Sequence, residues 1–169
     1  ASTRAAAGII TGTPHVYLER ALDNVRQIGT TIVGDRHGDC FHLGHADKSL
    51  QLRFRSWCEE MGPSSLPEDL HHAMGSAAVA LAQAIEFVGV GRIRWALTPH
   101  GGWYLLGLSS RLTTGYSLVE QVHNIDLVDT QQRVLDGEEL GWDGGETLPG
   151  KAGFQLRILH MDPDRGNAR

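Results

Sequence analysis

The chain has 169 residues, of which 41% are hydrophobic and 21% are charged, which is enough for one domain with a buried core. The formal net charge of −5 argues against nucleic acid or an anionic membrane surface as a partner. The sequence has no apolar run of about 18 residues that would predict a membrane span. Its start lacks the basic residues and apolar centre of a signal peptide.

The first third of the chain predicts a helix end followed by strands. Residues 4–11 are rich in alanine and predict the end of a helix that Gly12-Thr13-Pro14 terminates. The next apolar run, 15–19, predicts a short strand. The β-branched run 26–33 and the run 40–44 predict a hairpin, with Gly38 at positive φ in its turn. The alternating segment 50–61 predicts one further strand.

The middle of the chain predicts a long helix. Ser65 and Glu68 fit a capping box, and an apolar stripe follows to about residue 87. The stripe consists of Leu70, Met74, Ala77, Leu81, Ile85 and Val88. Gly89 and Gly91 are expected to end this helix.

The last part predicts a second hairpin, two short helices and a final strand. Residues 92–98 and 103–108 flank a Pro-His-Gly-Gly turn. Ser117 and Glu120 fit a second capping box for a helix to about residue 123. Asp126 is expected to cap another helix, which Gly137 ends. A glycine-rich loop at 141–150 precedes a predicted strand at 154–160. The predicted fold class is α+β, a mostly antiparallel sheet with helices on one face.

The cysteines and histidines allow two readings each. Cys40 and Cys58 form no CxxC pair, which predicts free thiols and a cytoplasmic location, although a disulfide between them stays open. Zn²⁺ would need two or three of His37, His42 and His45. Because residues three apart in a strand point to opposite faces, solvated surface histidines are the favoured reading.

Two other site types are disfavoured. A nucleophile set at Ser109 and Ser110 lacks a GxSxG motif, and a stacking platform of tryptophans lacks a basic groove.

Several strings, taken in order, resemble the C-terminal half of a biotin carboxylase, an ATP-grasp enzyme. They are HVYLERALDNVRQI at 15–28, GDCFHLG at 38–44, DKSLQLR at 47–53, CEE at 58–60, IDLV at 125–128 with QRV at 132–134, and QLRI at 155–158. The resemblance covers residues 15–163. It implies the C-terminal lobe of the ATP-grasp fold there, with 1–14 as the end of a preceding helix or linker and 164–169 as a tail.

The resemblance carries over some site residues. Gln51, Arg111 and Arg157 match positions that hold bicarbonate or the anions near biotin, and the two arginines are the only catalytic candidates. Glu19 and Leu22 match the segment that receives adenine. The resemblance also implies ATP with Mg²⁺, and biotin, as cofactors.

Other positions depart from the family pattern. The two magnesium carboxylates fall at Trp95 and Gly107, and the asparagine ligand falls at Ser109. The catalytic glutamate falls at Gly115. The remaining departures are Tyr116 and Gln27, where the family has histidines, and Ser56, where it has a lysine. Because Mg²⁺ needs oxygen ligands and proton transfer needs a base, these losses predict a catalytically silent segment with no metal site of its own.

Three functions follow from this comparison. The first is a structural or assembly subunit of a biotin-dependent carboxylase, with other carboxylase subunits or domains, and a biotin carrier domain, as partners. The second is a working part of an ATP-dependent carboxylase that other residues or chains complete. The third is an anion- or nucleotide-binding module built on Arg111 and Arg157.

Overall fold

The computed structural model describes residues 2–52, 55–62, 66–141 and 151–158. Within these ranges the chain forms four helices and eight strands. In chain order they are α1 (Ser2–Thr11), β1 (Arg26–Gly34), β2 (Cys40–Asp47), β3 (Gln51–Leu52), β4 (Arg55–Ser56), β5 (Cys58–Met61), α2 (Glu68–Ala84), β6 (Gly89–Leu97), β7 (Trp103–Ser109), α3 (Tyr116–His123), α4 (Leu127–Asp136) and β8 (Gly153–Leu156).

Six strands form one antiparallel sheet in the order β7-β6-β1-β2-β5-β8. Its centre is the long pairing of β1 with β6, which runs from Arg26 opposite Leu97 to Gly34 opposite Gly89. The strands β3 and β4 form a separate two-stranded ladder. Both predicted hairpins, β1–β2 and β6–β7, are therefore confirmed, and so is the α+β class.

The sheet carries helices on both faces, so the expectation of a single helical face is wrong. Neighbouring residues of β1 show this, because successive side chains of a strand point to opposite faces. Ile32 packs in the core cluster of α2 with Met74. Val33 packs in the other cluster with Val119 of α3 and with Leu127, the first residue of α4. The two short helices after β7, α3 and α4, thus cover the face opposite to the long helix.

Three predicted segments differ from the structure. Residues 15–19 form no strand, and Leu18 is 98% exposed. The predicted strand at 50–61 is three short strands, since residues 51–52 turn back onto 55–56 before β5 joins the main sheet. The last predicted strand is confirmed at Gly153–Leu156, and its predicted end at 159–160 lies outside the described residues, as do 142–150 of the glycine-rich loop.

The long helix ends earlier than predicted, at Ala84. Glu86 has φ 51°, which turns the chain out of the helix before the two glycines. Gly89 and Gly91 lie in β6 instead. A Cβ atom at Gly91 would lie 2.6 Å from the Phe87 ring and 2.9 Å from the Ser109 carbonyl oxygen, so glycine is needed there for close packing and not to end a helix.

The starts of the two helices differ from the predicted capping boxes. Pro67 is the N-cap residue of α2, and Ser65 of the first predicted box lies outside the described residues. Gly115 is the N-cap residue of α3. Glu120 instead accepts a hydrogen bond from the amide of Leu127 at 2.8 Å, which ties α3 to the start of α4.

The predicted ends of α4 are confirmed. The Asp126 carboxylate accepts a hydrogen bond from the Asp129 amide at 2.8 Å, and Gly137 has φ 94°. We expect Asp126→Ala to lower the free energy of unfolding by about 1 kcal/mol, because it leaves that amide without its cap. Urea denaturation measures this. Asp129→Ala is the control, since the Asp129 side chain makes no hydrogen bond among the described residues; an equal loss in both variants would contradict the role of the cap.

Both cysteines are free thiols, as predicted. Burial raises the pKa of Cys40 to about 11, so this thiol stays protonated near neutral pH. Among the described residues, no helix combines the length and apolar character needed to cross a membrane.

Candidate anion and nucleotide site

The resemblance places the family's two magnesium carboxylates at Trp95 and Gly107, but in the structure it is Arg94 that faces Gly107. Arg94 is the cross-strand partner of Gly107, and cross-strand partners lie on the same face of a sheet. A Cβ atom at Gly107 would lie 3.3 Å from Nη2 of Arg94. Two ligands of one ion must share a face, so residues 95 and 107 could not hold one ion together, and Arg94 is the residue of β6 that faces Gly107. A glycine facing a guanidinium offers no oxygen ligand to Mg²⁺.

Trp95 lies on the opposite face, in the core beneath α2, where it begins a buried hydrogen-bond chain. Its Nε1–H donates to Thr30 Oγ1 at 2.8 Å. The Thr30 hydroxyl donates to Nδ1 of His45 at 2.7 Å, and Nε2 of His45 donates to the His71 carbonyl oxygen at 3.0 Å. Every polar atom of these side chains has a partner. This series of hydrogen bonds therefore stabilises the fold and holds His45 as one neutral tautomer.

An ion cluster lies on the face that α3 covers. Glu59 of β5 accepts a hydrogen bond from Nη1 of Arg92 at 2.8 Å, and its other oxygen lies 3.3 Å from the Lys48 ammonium nitrogen. The side chains of Arg92 and Glu59 are 3% and 5% exposed, and that of Lys48 is 16% exposed. Nη1 of Arg92 also donates to Thr113 Oγ1 at 3.2 Å. One buried carboxylate is therefore shared by two cations.

Glu59 explains why residue 115 is a glycine. A Cβ atom there would overlap the Glu59 carboxylate and lie 2.6 Å from Nη1 of Arg92. The resemblance places a catalytic glutamate at position 115. In the structure, the carboxylate of Glu59 from β5 occupies the space next to Gly115 instead. It is bound to two cations, so it is not a free base.

The loop before α3 crosses the sheet from β7 towards β8. Thr113 accepts from Arg92 of β6, and the Thr114 carbonyl oxygen accepts from Nε2 of Gln155 of β8 at 2.9 Å. Arg111 lies near the start of this loop, and Arg157 directly follows β8. The loop therefore links the two segments that carry the predicted arginines, although their strands are at opposite edges of the sheet.

The predicted anion residues have few partners among the described residues. Arg111 is exposed, and its hydrogen bond runs to the Leu112 carbonyl oxygen at 3.4 Å. Arg157 is half-buried, and its backbone amide donates to the Trp57 carbonyl oxygen at 2.9 Å. Gln51 donates to Gln27 Oε1 at 2.8 Å and to the Lys48 carbonyl oxygen at 3.1 Å, which holds it beside the ion cluster.

The two predicted adenine residues lie in an irregular segment. Glu19 is exposed and Leu22 is half-buried, and both belong to residues 14–22, which form no helix or strand. The role of these two residues in nucleotide binding stays a prediction.

Two histidines expected on the surface, His42 and His45, meet His71 of α2. The register of β1 with β2 shifts between Thr30 and Ile32, so β2 carries one extra residue and His42 and His45 share a face. Their ring centroids are 5.6 Å apart, and the His71 ring lies 4.5 Å from that of His45. The reading as solvated surface residues holds for the exposed His37 and is wrong for His42 and His45. The described residues contain no group of three or more potential metal ligands.

The sequence reasoning missed Lys48, Glu59, Arg92 and Arg94. The signal for the two arginines was present, because residues two apart in a strand share a face, so the pattern Arg-Ile-Arg places both guanidinium groups together. No local signal connects Glu59 with Arg92, which is 33 residues away.

Comparison with known proteins places these features in a family. A family model described as carbamoyl-phosphate synthase L chain, ATP binding domain, matches residues 1–142. The chloroplastic biotin carboxylase of Arabidopsis thaliana is 32% identical over 166 residues, which are 98% of this chain and 30% of that protein. The mitochondrial methylcrotonoyl-CoA carboxylase subunit alpha of Dictyostelium discoideum is 31% identical over 153 residues, which are 90% of this chain and 22% of that protein.

Solved structures agree with the family model. The crystal structure of a biotin carboxylase–beta-gamma-ATP complex from Campylobacter jejuni superposes with a TM-score of 0.88 at 25% identity, over 98% of this chain and 37% of that one. A Rhizobium etli pyruvate carboxylase superposes with a TM-score of 0.87 at 25% identity, over 96% of this chain and 15% of that one.

The chain therefore belongs to the ATP-grasp family that this ATP-binding domain represents. It is homologous to a segment of biotin carboxylases and acyl-CoA carboxylase alpha chains, and it spans 30% of the length of the Arabidopsis relative.

Proposed function

We propose that this chain is a catalytically silent biotin-carboxylase-like segment that serves a structural or assembly role in a biotin-dependent carboxylase. One observation carries the proposal: Arg94 faces Gly107, where the resemblance places a magnesium carboxylate. A guanidinium repels a divalent cation, and glycine supplies no ligand. The residues present do not fit Mg²⁺, so this segment offers no metal ion to neutralise charge in phosphoryl transfer.

The loss of a base supports the same conclusion. Glycine at 115 has no group to accept a proton, and the carboxylate that occupies its space is bound by Arg92 and Lys48. Each lost catalytic group typically lowers a rate by about 10²–10⁴-fold, so the combined loss leaves no useful turnover.

The partners proposed for the chain are other carboxylase subunits or domains. The relatives support this, because one is named as a subunit alpha and another is a structure of a complete multifunctional pyruvate carboxylase. A biotin carrier domain as a partner stays a prediction. A cytoplasmic location also stays a prediction, since the names of two relatives place those proteins in a chloroplast and a mitochondrion.

The wild-type chain and the Arg111→Ala variant are compared in the presence of ATP, Mg²⁺, bicarbonate and free biotin. We expect the wild type to release no more phosphate from ATP than the variant. The measurement is a coupled assay of phosphate release and biotin carboxylation. Turnover that depends on Arg111 would refute the proposal that the segment is catalytically silent.

Purification of the complex from the native source distinguishes two hypotheses. In one, the chain has an assembly role; in the other, it is part of an active site that other residues complete. We expect the chain to co-purify with a biotinylated polypeptide that streptavidin detects, and the complex to hydrolyse ATP equally with wild-type chain and with Arg111→Ala. A loss of hydrolysis in the variant complex would favour the second reading, and an absence of any biotinylated partner would contradict the assembly role.

An anion-binding module is the alternative that a specific observation favours. Arg111 and Arg157 make no ion pair with a carboxylate among the described residues. Titration with ADP and bicarbonate tests this alternative, and heat of binding that is lost in Arg111→Ala would support it.

A further inference from the structure

We propose that Arg94 is the centre of a docking surface for an acidic segment of a partner chain, in which a carboxylate side chain of the partner pairs with the Arg94 guanidinium. The partner belongs to the assembled carboxylase, so this docking surface presupposes the assembly role proposed above. It lies on an exposed part of the sheet and makes no use of Arg111 or Arg157.

Arg94 is exposed and unpaired. Of the nine residues of β6, it is the exposed one. Within the described part of the chain, its side chain takes part in no ion pair and donates no hydrogen bond. A single exposed arginine is common on protein surfaces, so the surroundings of this one decide what it can bind.

Glycines flank Arg94 on both sides. Its cross-strand partners are Gly29 of β1 and Gly107 of β7. Neither has a side chain that could cover the guanidinium or accept a hydrogen bond from it. A Cβ atom at Gly107 would lie 3.3 Å from Nη2 of Arg94, so even alanine would crowd that nitrogen. The guanidinium is thus accessible from the open face of the sheet.

The charge around Arg94 favours a negatively charged partner. Lys48 and Arg92 lie on the same face, and the carboxylate bound to both is Glu59. Three cations with one carboxylate leave two positive charges in excess. Burial, and then the charges of Arg92 and Arg94, lower the pKa of the Lys48 ammonium, although Glu59 opposes this effect. This local excess contrasts with the net charge of −5 of the whole chain.

The open geometry favours a chain segment over a free anion. A single exposed ion pair contributes about 0–1 kcal/mol, because water screens both charges. A segment with several carboxylates can pair with Arg94 and approach Lys48 at the same time, so its attractions add up and orient the partner. Tyr104, which is 46% exposed, lies on this face too, because its cross-strand partner Ala96 is two residues from Arg94. Exposed tyrosines are common contacts in protein interfaces.

A peptide titration tests the surface directly. The probe is a fluorescein-labelled peptide of alternating glutamate and serine, and the matched peptide has glutamine in place of glutamate. We expect the full chain to raise the fluorescence anisotropy of the glutamate peptide and not that of the glutamine peptide. Added sodium chloride should weaken the binding, because it screens exposed charges. Equal binding of both peptides, or binding of neither, would overturn the proposal.

Charge reversal at Arg94 supplies the second test. Arg94→Glu removes no ion pair of the fold, so we expect it to fold as the wild type and to bind the glutamate peptide at least about tenfold more weakly. Arg133→Glu is the matched control, because it changes the net charge equally at an exposed residue of α4, and it should bind as the wild type. An equal loss in both variants would reduce the effect to net charge and overturn the docking surface.

A competition experiment distinguishes a docking segment from a free anion. Sodium bicarbonate and sodium phosphate are compared with sodium chloride at equal ionic strength. We expect the three salts to displace the glutamate peptide equally, because they act by screening alone. Displacement by one oxyanion at much lower concentration would assign Arg94 to a small-anion site and overturn the proposal.

The complex from the native source separates this surface from the assembly role itself. Tagged wild type, Arg94→Glu and Arg133→Glu are recovered, and streptavidin detects the biotinylated polypeptide. We expect that polypeptide with the wild type and Arg133→Glu, and not with Arg94→Glu. Its recovery with all three would overturn the docking surface and leave the assembly role in place. Its recovery with none would contradict the assembly role, and the peptide titration would still decide the surface.

Discussion

Glu59→Gln should destabilise the protein more than any other single change at the ion cluster. The substitution keeps the shape of the side chain and removes the one carboxylate shared by Arg92 and Lys48. Both cations then stay buried without a counter-charge, and breaking a buried pair in this way costs about 3–5 kcal/mol. We expect a loss of that size in the free energy of unfolding, measured by urea denaturation near neutral pH.

The chain offers a matched control for this prediction. Glu138 pairs with Arg133 at 2.7 Å, but the two side chains are 55% and 50% exposed, so Glu138→Gln should leave the free energy of unfolding nearly unchanged. In the Glu59→Gln background, a further Lys48→Met change should restore part of the lost stability, because it removes one unpaired buried charge. A loss in Glu59→Gln no larger than that in Glu138→Gln would contradict the buried shared carboxylate.

The elements that were predicted correctly are those with a local cause. The β1–β2 turn follows from Gly38, which has φ 98°, and α4 begins and ends at residues whose chemistry suits the two ends of a helix. Antiparallel hairpins follow from short turns between β-branched or aromatic runs. None of these features depends on contacts between distant parts of the chain.

The expected metal position shows how one residue along a strand changes a conclusion about chemistry. Trp95 and Arg94 are neighbours in β6, but they point to opposite faces of the sheet, and Arg94 is the one that faces Gly107. A buried tryptophan would only remove a ligand. An arginine facing Gly107 also adds a positive charge where a cation would bind, so the observed neighbour of Gly107 argues against Mg²⁺ more strongly.

The histidines illustrate what local patterns miss. Strict alternation places His42 and His45 on opposite faces, but one extra residue in β2, accommodated by Gly44 at φ 68°, brings them together. The third ring comes from α2, 26 residues further along the chain. A glycine inside a strand, such as Gly44, is a sign of a bulge, but the packing of the helix has no sequence signature. Both decide whether these groups are solvated or buried.

The same burial predicts that the protein loses stability in acid. Burial lowers the pKa of His45 from 6.5 to about 3, and it also lowers the pKa of His42, His71 and His123. Between these two values the unfolded chain binds a proton at residue 45 and the folded chain does not, so the free energy of unfolding falls as the pH falls. This stability is fully present above pH 6.5 and is lost progressively towards pH 3. We expect His45 alone to cost about 2 kcal/mol at about pH 5, because each pH unit below the unfolded pKa costs about 1.4 kcal/mol.

Urea denaturation at a series of pH values from about 7.5 to about 5 measures this slope. His45→Gln should be less stable near neutral pH, because Thr30 and the His71 carbonyl oxygen lose their shared partner, but its slope with pH should be smaller by about one proton. The slope, and not the stability at one pH, identifies the buried neutral imidazole, because loss of packing alone would lower the whole curve without changing its pH dependence. An unchanged slope in His45→Gln would therefore contradict the titration of this residue as the cause of acid lability.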